Sequence, residues 1–300
     1  MGPVGKAAPV VVGVDGSTTS LAAVSWAART ARLHGCPLRI VTALGAPTPY
    51  GDDIRLPPSY FADRDRSAHS ALAEAAAIAR TTDTESIRTE VVTEVVEDPA
   101  RPVLIEASKS ARMVVVGSRG LGRVTAALAG SVAVALAAHA HGPVVVIRGQ
   151  ARQTSGAASP FVVVGVDGTD NSTPAIAAAF EEASVRGAGL SAIHTWSPFE
   201  LSTAFDDRLD LPWDEVEVAE HAVLAESLAG WEDRHPETEV TRLVLRGDPA
   251  DELRRRAVGA ELLVVGSHGR GGFAGMLLGS TGGALLHSAE CPLMIVRSRT

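Results

Sequence analysis

Residues 10–16 read Val-Val-Val-Gly-Val-Asp-Gly, and residues 162–168 repeat the same letters 152 positions later. Further matches follow at almost the same distance: 98–99 with 248–249, 113–118 with 262–267, and 142–144 with 291–293. Solenoid repeats have periods of only about 20–50 residues. The chain is therefore predicted to contain one domain twice, over residues 1–148 and 161–300, with the polar residues 149–160 as a linker.

The composition agrees with two globular domains in a reducing compartment. The 300 residues are 46% hydrophobic and 21% charged, and a domain has about 150 residues on average. The net charge of −8 argues against nucleic-acid and anionic-membrane partners. Two cysteines, Cys36 and Cys291, are too few for a disulfide framework or a zinc site. With no signal peptide and no apolar run of membrane-spanning length, we expect a cytoplasmic protein.

Each copy alternates between valine-rich runs and alanine-rich helical stretches. In the first copy we predict strands at 10–15, 38–43, 88–96, 114–116 and 144–147, and helices at 20–33, 61–80, 99–109 and 131–139. Asp98 is expected to cap the third of these helices, with Pro99 in its first position. Continuous valine runs indicate strands buried on both faces, and strand–helix alternation predicts a doubly wound α/β domain.

Two features of each copy fall where such a domain binds ligands, beyond the carboxyl ends of its strands. Asp15, like Asp167 in the second copy, follows the first strand. After the fourth strand the same glycine spacing occurs twice, as Gly117-x2-Gly120-x9-Gly130-Ser131 and as Gly266-x2-Gly269-x9-Gly279-Ser280. These two features are the candidate ligand site of each copy.

This glycine spacing suits the capture of a phosphate. Gly117 and Gly120 would let the backbone approach a ligand closely and adopt positive φ at little cost. Gly130 and Ser131 would begin a helix, whose free N–H groups and dipole favour an anion. Asp15 at the neighbouring strand end suits ribose hydroxyls. The alternative is purely structural, with glycines that end strands and a serine that caps a helix; the retained spacing in both copies favours the ligand.

With these motifs the chain resembles the universal stress protein family in its tandem, ATP-binding form, which is common in actinobacteria. The resemblance covers about residues 9–148 and 160–298, and the Gly-x2-Gly-x9-Gly-[Ser/Thr] spacing is that family's ATP-binding signature. It implies two Rossmann-like domains, each with a five-stranded parallel sheet of order 3-2-1-4-5 flanked by helices. Strands 1 and 4 would then flank the point where the winding reverses, which brings Asp15 close to Gly117.

The resemblance also implies which residues bind the nucleotide. In the first copy they are Gly13, Val14 and Asp15 at adenosine, Ala43 at adenine, and Gly117, Arg119, Gly120, Gly130, Ser131 and Val132 at ribose and phosphates. In the second copy the matching residues are Gly165, Val166, Asp167, Thr195, Gly266, His268, Gly269, Gly279, Ser280 and Thr281.

The expected function is that of a regulatory nucleotide sensor in stress or growth arrest, with one ATP pocket per domain. The cofactor would be ATP, with or without Mg²⁺; a homodimer is expected, together with an unidentified protein that reads the bound state. Two alternatives stay open, a slow ATPase and a nucleotide-independent scaffold. An ATPase needs a positioned base, an electrophile and metal ligands. Asp15 and Asp167 could hold Mg²⁺, but no lysine is placed for the γ-phosphate.

Overall fold

The valine-rich segments form the strands of two units, Met1–Ala151 and Arg152–Thr300. A computed structural model describes residues 7–45, 57–81, 88–120, 129–149, 160–197, 213–270 and 277–297. Of the predicted linker, residues 150–159 lie outside this described part of the chain.

The first unit is a parallel sheet covered by helices. Its strands are β1 (Val10–Gly13), β2 (Leu38–Ala43), β3 (Val91–Val96), β4 (Met113–Gly117) and β5 (Val144–Ile147). Its described helices are α1 (Thr18–Leu33), α2 (Pro58–Thr81), α3 (Ala100–Ala107) and α4 (Ser131–His139). Strand β1 pairs in parallel with both β2 and β4, while β3 extends the sheet beyond β2 and β5 extends it beyond β4. The strand order is 3-2-1-4-5, which confirms the predicted fold.

The second unit has the same topology. Its strands are β6 (Phe161–Val166), β7 (Gly189–Trp196), β8 (Val240–Arg246), β9 (Leu262–Gly266) and β10 (Leu293–Val296). Its described helices are α5 (Thr173–Arg186), which follows a 3₁₀ turn at Asp170–Ser172, α6 (Trp213–Leu228), α7 (Trp231–Arg234), α8 (Pro249–Arg256) and α9 (Ser280–Ser288). The order is 8-7-6-9-10, with every one of these pairs parallel. The winding therefore reverses between β6 and β9, as it does between β1 and β4.

The cores consist of aliphatic strands beneath small helical side chains. Val10, Val11 and Val12 are consecutive and have no exposed surface, which requires that both faces of β1 be covered. Alanines such as Ala23 and Ala27 of α1 are equally buried. None of the described helices combines the length and apolar character that a membrane crossing needs.

The helix starts show where local sequence signals succeed and fail. The Ser17 side chain caps α1 by accepting from the Ser20 N–H at 3.2 Å. Asp248 caps α8 in the same way, through the Asp251 N–H at 3.0 Å. The prediction that Asp98 caps α3 is wrong. Pro99 is itself the N-cap, in an extended conformation, and the helix begins at Ala100, one residue later than predicted.

Candidate functional site

The first candidate site lies where β1 and β4 end side by side. Gly13 at the end of β1 pairs with Val116 of β4, so Asp15 and the motif glycines emerge at the same edge of the sheet. A Cβ atom placed on Gly120 would press against Oδ2 of Asp15. The structure thus brings the carboxylate and the second motif glycine into contact.

Hydrogen bonds fix the segments on which these groups stand. The backbone N–H of Ser17 donates to Oδ1 of Asp15 at 3.0 Å, which orients the carboxylate. The carbonyl of Arg119 accepts from the Ser17 hydroxyl at 3.3 Å and from the Thr19 hydroxyl at 2.5 Å. The loop after β4 is therefore tied to the start of α1, and Oδ2 of Asp15 faces Gly120.

Helix α4 supplies the third part of this site. The Gly130 N–H donates to the Ser118 carbonyl at 2.6 Å, which brings the helix start back onto the motif loop. Gly130 is the N-cap in an extended conformation and, as a glycine, has no side chain with which to cap the helix. The N–H groups of the first helical turn, beginning with those of Ser131 and Val132, have no partner within a helix. Since Ser131 is exposed, an anion can reach this helix end and its dipole.

The second unit repeats this arrangement. Oδ1 of Asp167 accepts from the Thr169 N–H and from its hydroxyl, both at 2.8 Å, and Oδ2 lies 3.4 Å from the Cβ position of Gly269. The Gly279 N–H donates to the Ser267 carbonyl at 2.7 Å. Gly279 caps α9 with φ −66° and ψ 159°, against −66° and 150° for Gly130. The backbone geometry expected to hold a phosphate therefore occurs twice.

The first glycine of the motif has a packing role that was not predicted. A Cβ atom on Gly117 would lie 2.7 Å from the backbone carbon of Thr19 and 2.8 Å from the nitrogen of Ser20. Gly117 is thus required for the close approach of α1 to β4. The expectation of positive φ is also wrong, because neither Gly117 nor Gly120 adopts it; the packing of helix on strand is what demands glycine here.

The remaining predicted residues line the same two edges. The Val14 N–H donates to the Val41 carbonyl at 2.9 Å, and Ala43 ends the adjacent strand β2. In the second unit Thr195 is the next-to-last residue of β7. The ring nitrogen Nδ1 of His268 lies 3.0 Å from the Ser267 hydroxyl. The assignment of all these residues to nucleotide contacts stays a prediction.

Comparison with known proteins identifies the family. The model of the family described as "Universal stress protein family" matches residues 7–148 and 161–297. The chain belongs to the universal stress protein family. It is similar to a universal stress protein of Mycolicibacterium smegmatis (strain ATCC 700084 / mc(2)155), with 40% identity over 299 residues and 97% of each chain covered. It is 37% identical, over 96% of each chain, to a universal stress protein of Mycobacterium tuberculosis (strain ATCC 25618 / H37Rv).

Solved structures agree with the fold of this family. A universal stress protein from Archaeoglobus fulgidus DSM 4304 superimposes with a TM-score of 0.66 at 20% identity, covering 96% of this chain and 98% of the other. This likeness extends over both units and supports the tandem α/β fold.

Basic residues after the last strand of each unit were not predicted. Arg148 follows β5 and Arg297 follows β10. Burial, and after it the charge of Arg119, lowers the pKa of Arg148. The guanidinium groups of Arg119 and Arg148 are therefore close enough to repel each other. The sequence repeat could have indicated these two residues, since an arginine stands at the same position of both copies.

A cluster of two buried polar residues and one exposed arginine in the second unit was also not predicted. It consists of His194 on β7, Glu220 on α6 and Arg270, which directly follows the motif residue Gly269. The three residues are 26 and 50 positions apart, so no local motif connects them. Only the fold brings them together.

Proposed function

We propose that the chain is a regulatory adenine-nucleotide-binding protein that acts in stress or growth arrest, with one ATP pocket in each unit. The observation that carries this proposal is the duplicated geometry of a carboxylate, a motif glycine and an uncapped helix start. The carboxylate of Asp15 faces Gly120 and that of Asp167 faces Gly269, at the corresponding edge of the sheet in each unit. Two domains, 1–148 and 161–300, joined by the linker 149–160, are part of the proposal.

The proposed chemistry of binding uses backbone groups for the phosphates. The N-cap residue of both α4 and α9 is a glycine, which cannot cap the helix start with a side chain of its own. An anion at such a position gains hydrogen bonds from the N–H groups and the favourable end of the helix dipole. A chain of net charge −8 can therefore bind a polyphosphate without a basic surface. The carboxylates of Asp15 and Asp167 would accept from ribose hydroxyls.

Magnesium would enter with the nucleotide in this proposal. Among the residues that the structure describes, no group of three or more His, Cys, Asp or Glu is placed to hold a metal ion. Mg²⁺ commonly keeps several waters and is bound through substrate phosphates with one or two carboxylates. Asp15 and Asp167 are the protein ligands that such an ion could use.

The proposal also includes a homodimer and a protein partner that reads the nucleotide state. Its first test is chemical identification of what the protein binds. Nucleotide released by denaturing the purified full chain is analysed by mass spectrometry, and thermal unfolding is recorded with and without millimolar ATP–Mg²⁺. Co-purifying ATP, or a clear rise in the unfolding temperature from binding to the native state, supports the proposal. Absence of both contradicts it and favours the scaffold.

A further inference from the structure

The second unit contains a charged cluster directly behind its candidate pocket. His194 has no exposed surface. Its Nδ1 lies 2.7 Å from the carbonyl oxygen of Val166, and its Nε2 lies 2.6 Å from Oε2 of Glu220. The Nη2 of Arg270 lies 3.3 Å from the same carboxylate oxygen. One buried carboxylate therefore joins two basic side chains.

The partners of His194 define which of its nitrogens donate. A backbone carbonyl can only accept, so Nδ1 donates to Val166. Burial alone would raise the pKa of Glu220, but the hydrogen bond from His194 and the charge and hydrogen bond of Arg270 outweigh it and lower that pKa. The ionised form of Glu220 is therefore favoured, with its Oε2 within hydrogen-bond distance of both basic side chains. The Nη2 of Arg270 also lies 3.2 Å from Nε2 of His194, so the three side chains meet around one carboxylate oxygen.

This cluster holds two consecutive carbonyl groups of the segment that carries Asp167. His194 donates to the carbonyl of Val166, and Nε of Arg270 donates to the carbonyl of Asp167 itself. The Asp167 carboxylate is fixed from the other side by Thr169. Its Oδ2 consequently faces Gly269 in a defined orientation.

The first unit has different residues at the matching positions. Val41 and Ile193 pair with Gly13 and Gly165, so the next residue of each strand is Thr42 in one unit and His194 in the other. Glu220 has its counterpart in Ala68. A Cβ atom on Gly16 would meet Ala71 of α2, and Ala68 stands three positions before Ala71. In the same way, a Cβ atom on Gly168 would meet Val223 of α6, and Glu220 stands three positions before Val223.

We propose that His194, Glu220 and Arg270 are positioning residues of the second pocket, which hold Asp167 in the orientation that accepts ribose hydroxyls. The proposal rests on the nucleotide pockets proposed above and makes the two pockets unequal. Nucleotide binding in the second pocket depends on the cluster, whereas binding in the first pocket relies on Asp15 and Ser17 without it.

The test isolates the second pocket in the full chain. Ser131→Glu serves as the background, because a carboxylate at the exposed start of α4 favours the helix but repels a phosphate. Affinities for ATP and for 2′,3′-dideoxy-ATP are then measured by calorimetry. Arg270→Gln is the main variant, since a side chain that is 43% exposed can be replaced without unfolding the unit. Glu220→Gln is the second variant, and Glu226→Gln on the exposed side of α6 is the control.

The expected result is selective. Arg270→Gln and Glu220→Gln weaken ATP binding about tenfold, the effect of roughly one charge-assisted hydrogen bond, and leave dideoxy-ATP binding unchanged. Glu226→Gln changes neither affinity. Equal losses for both nucleotides would reveal general damage to the unit and would overturn the positioning role, as would unchanged ATP affinity. If the Ser131→Glu background binds no ATP at all, the proposed second pocket fails, and this inference fails with it.

Discussion

The two candidate pockets have a similar backbone geometry and differ in the side chains that lie behind it. Both have an aspartate against a motif glycine and a helix that begins at an uncapped glycine. Behind the first lie Thr42, whose buried hydroxyl has no hydrogen-bond partner among the described residues, and the small Ala68. Behind the second lie the side chains of His194 and Glu220, with Nε2 of the ring 2.6 Å from Oε2 of the carboxylate. Main-chain geometry has therefore been retained in both copies, while the side chains that support it have diverged.

The largest effect is expected for the first motif glycine. Gly117→Ala would place a Cβ atom 2.7–2.8 Å from backbone atoms of Thr19 and Ser20, which cannot move without shifting α1. We expect a loss of about 3 kcal/mol in the free energy of unfolding of the first unit, at the upper end of overpacking costs. Scanning calorimetry of the full chain measures it.

The matched variant in the second unit is Gly266→Ala. Its Cβ atom would meet the carbonyl oxygens of His268 and Asn171 at 3.2 and 3.3 Å, a milder contact. The expected loss is about 1 kcal/mol, toward the lower end of the same range. Equal losses at the two glycines would show that the close approach of α1 to Gly117 is not what demands glycine there.

The acid stability of the second unit tests its cluster. The pKa of Glu220 is lowered below the ordinary value of 4.5, so folding favours its ionised form. The stabilisation that ionised Glu220 gives the folded unit is fully present above pH 4.5, and it is lost as the pH falls through the lower pKa of the folded state. Glu220→Gln should therefore lose stability at neutral pH and show a weaker decline in acid, measured by urea unfolding between about pH 3 and pH 7. A decline identical to that of Glu226→Gln would contradict the ionised, paired state of Glu220.

These expectations also show how far the sequence alone could go. The valine runs predicted the strands because residues buried on both faces must be apolar, and the bounds of β2 and α4 were predicted correctly. The duplicated glycine spacing located the candidate pockets. The role of Gly117 could not be predicted, because the atoms that exclude a side chain there belong to α1, about a hundred residues earlier. The His194 cluster depends in the same way on tertiary contacts that no local pattern records.

A smaller difference between the units concerns the motif helices. Position 283 in α9 is glycine, and a Cβ atom added there would meet no atom of the described residues within 4 Å. The matching position in α4 is Val134. Gly283→Ala should stabilise the second unit by about 0.5–1 kcal/mol, because alanine loses less backbone entropy in a helix. Calorimetry measures the gain, and a loss of stability instead would show that the space is occupied.

The most direct test of one nucleotide pocket in each unit is the stoichiometry of ATP–Mg²⁺ binding to the full chain by calorimetry. Ser131→Glu and Ser280→Glu are matched variants, since both serines are exposed first residues of the motif helices. A carboxylate there favours the helix by about 0.3–1 kcal/mol while repelling a phosphate. We predict that the unaltered chain binds two ATP molecules, that each single variant binds one, and that the double variant binds none. Unchanged stoichiometry in either single variant would contradict the account.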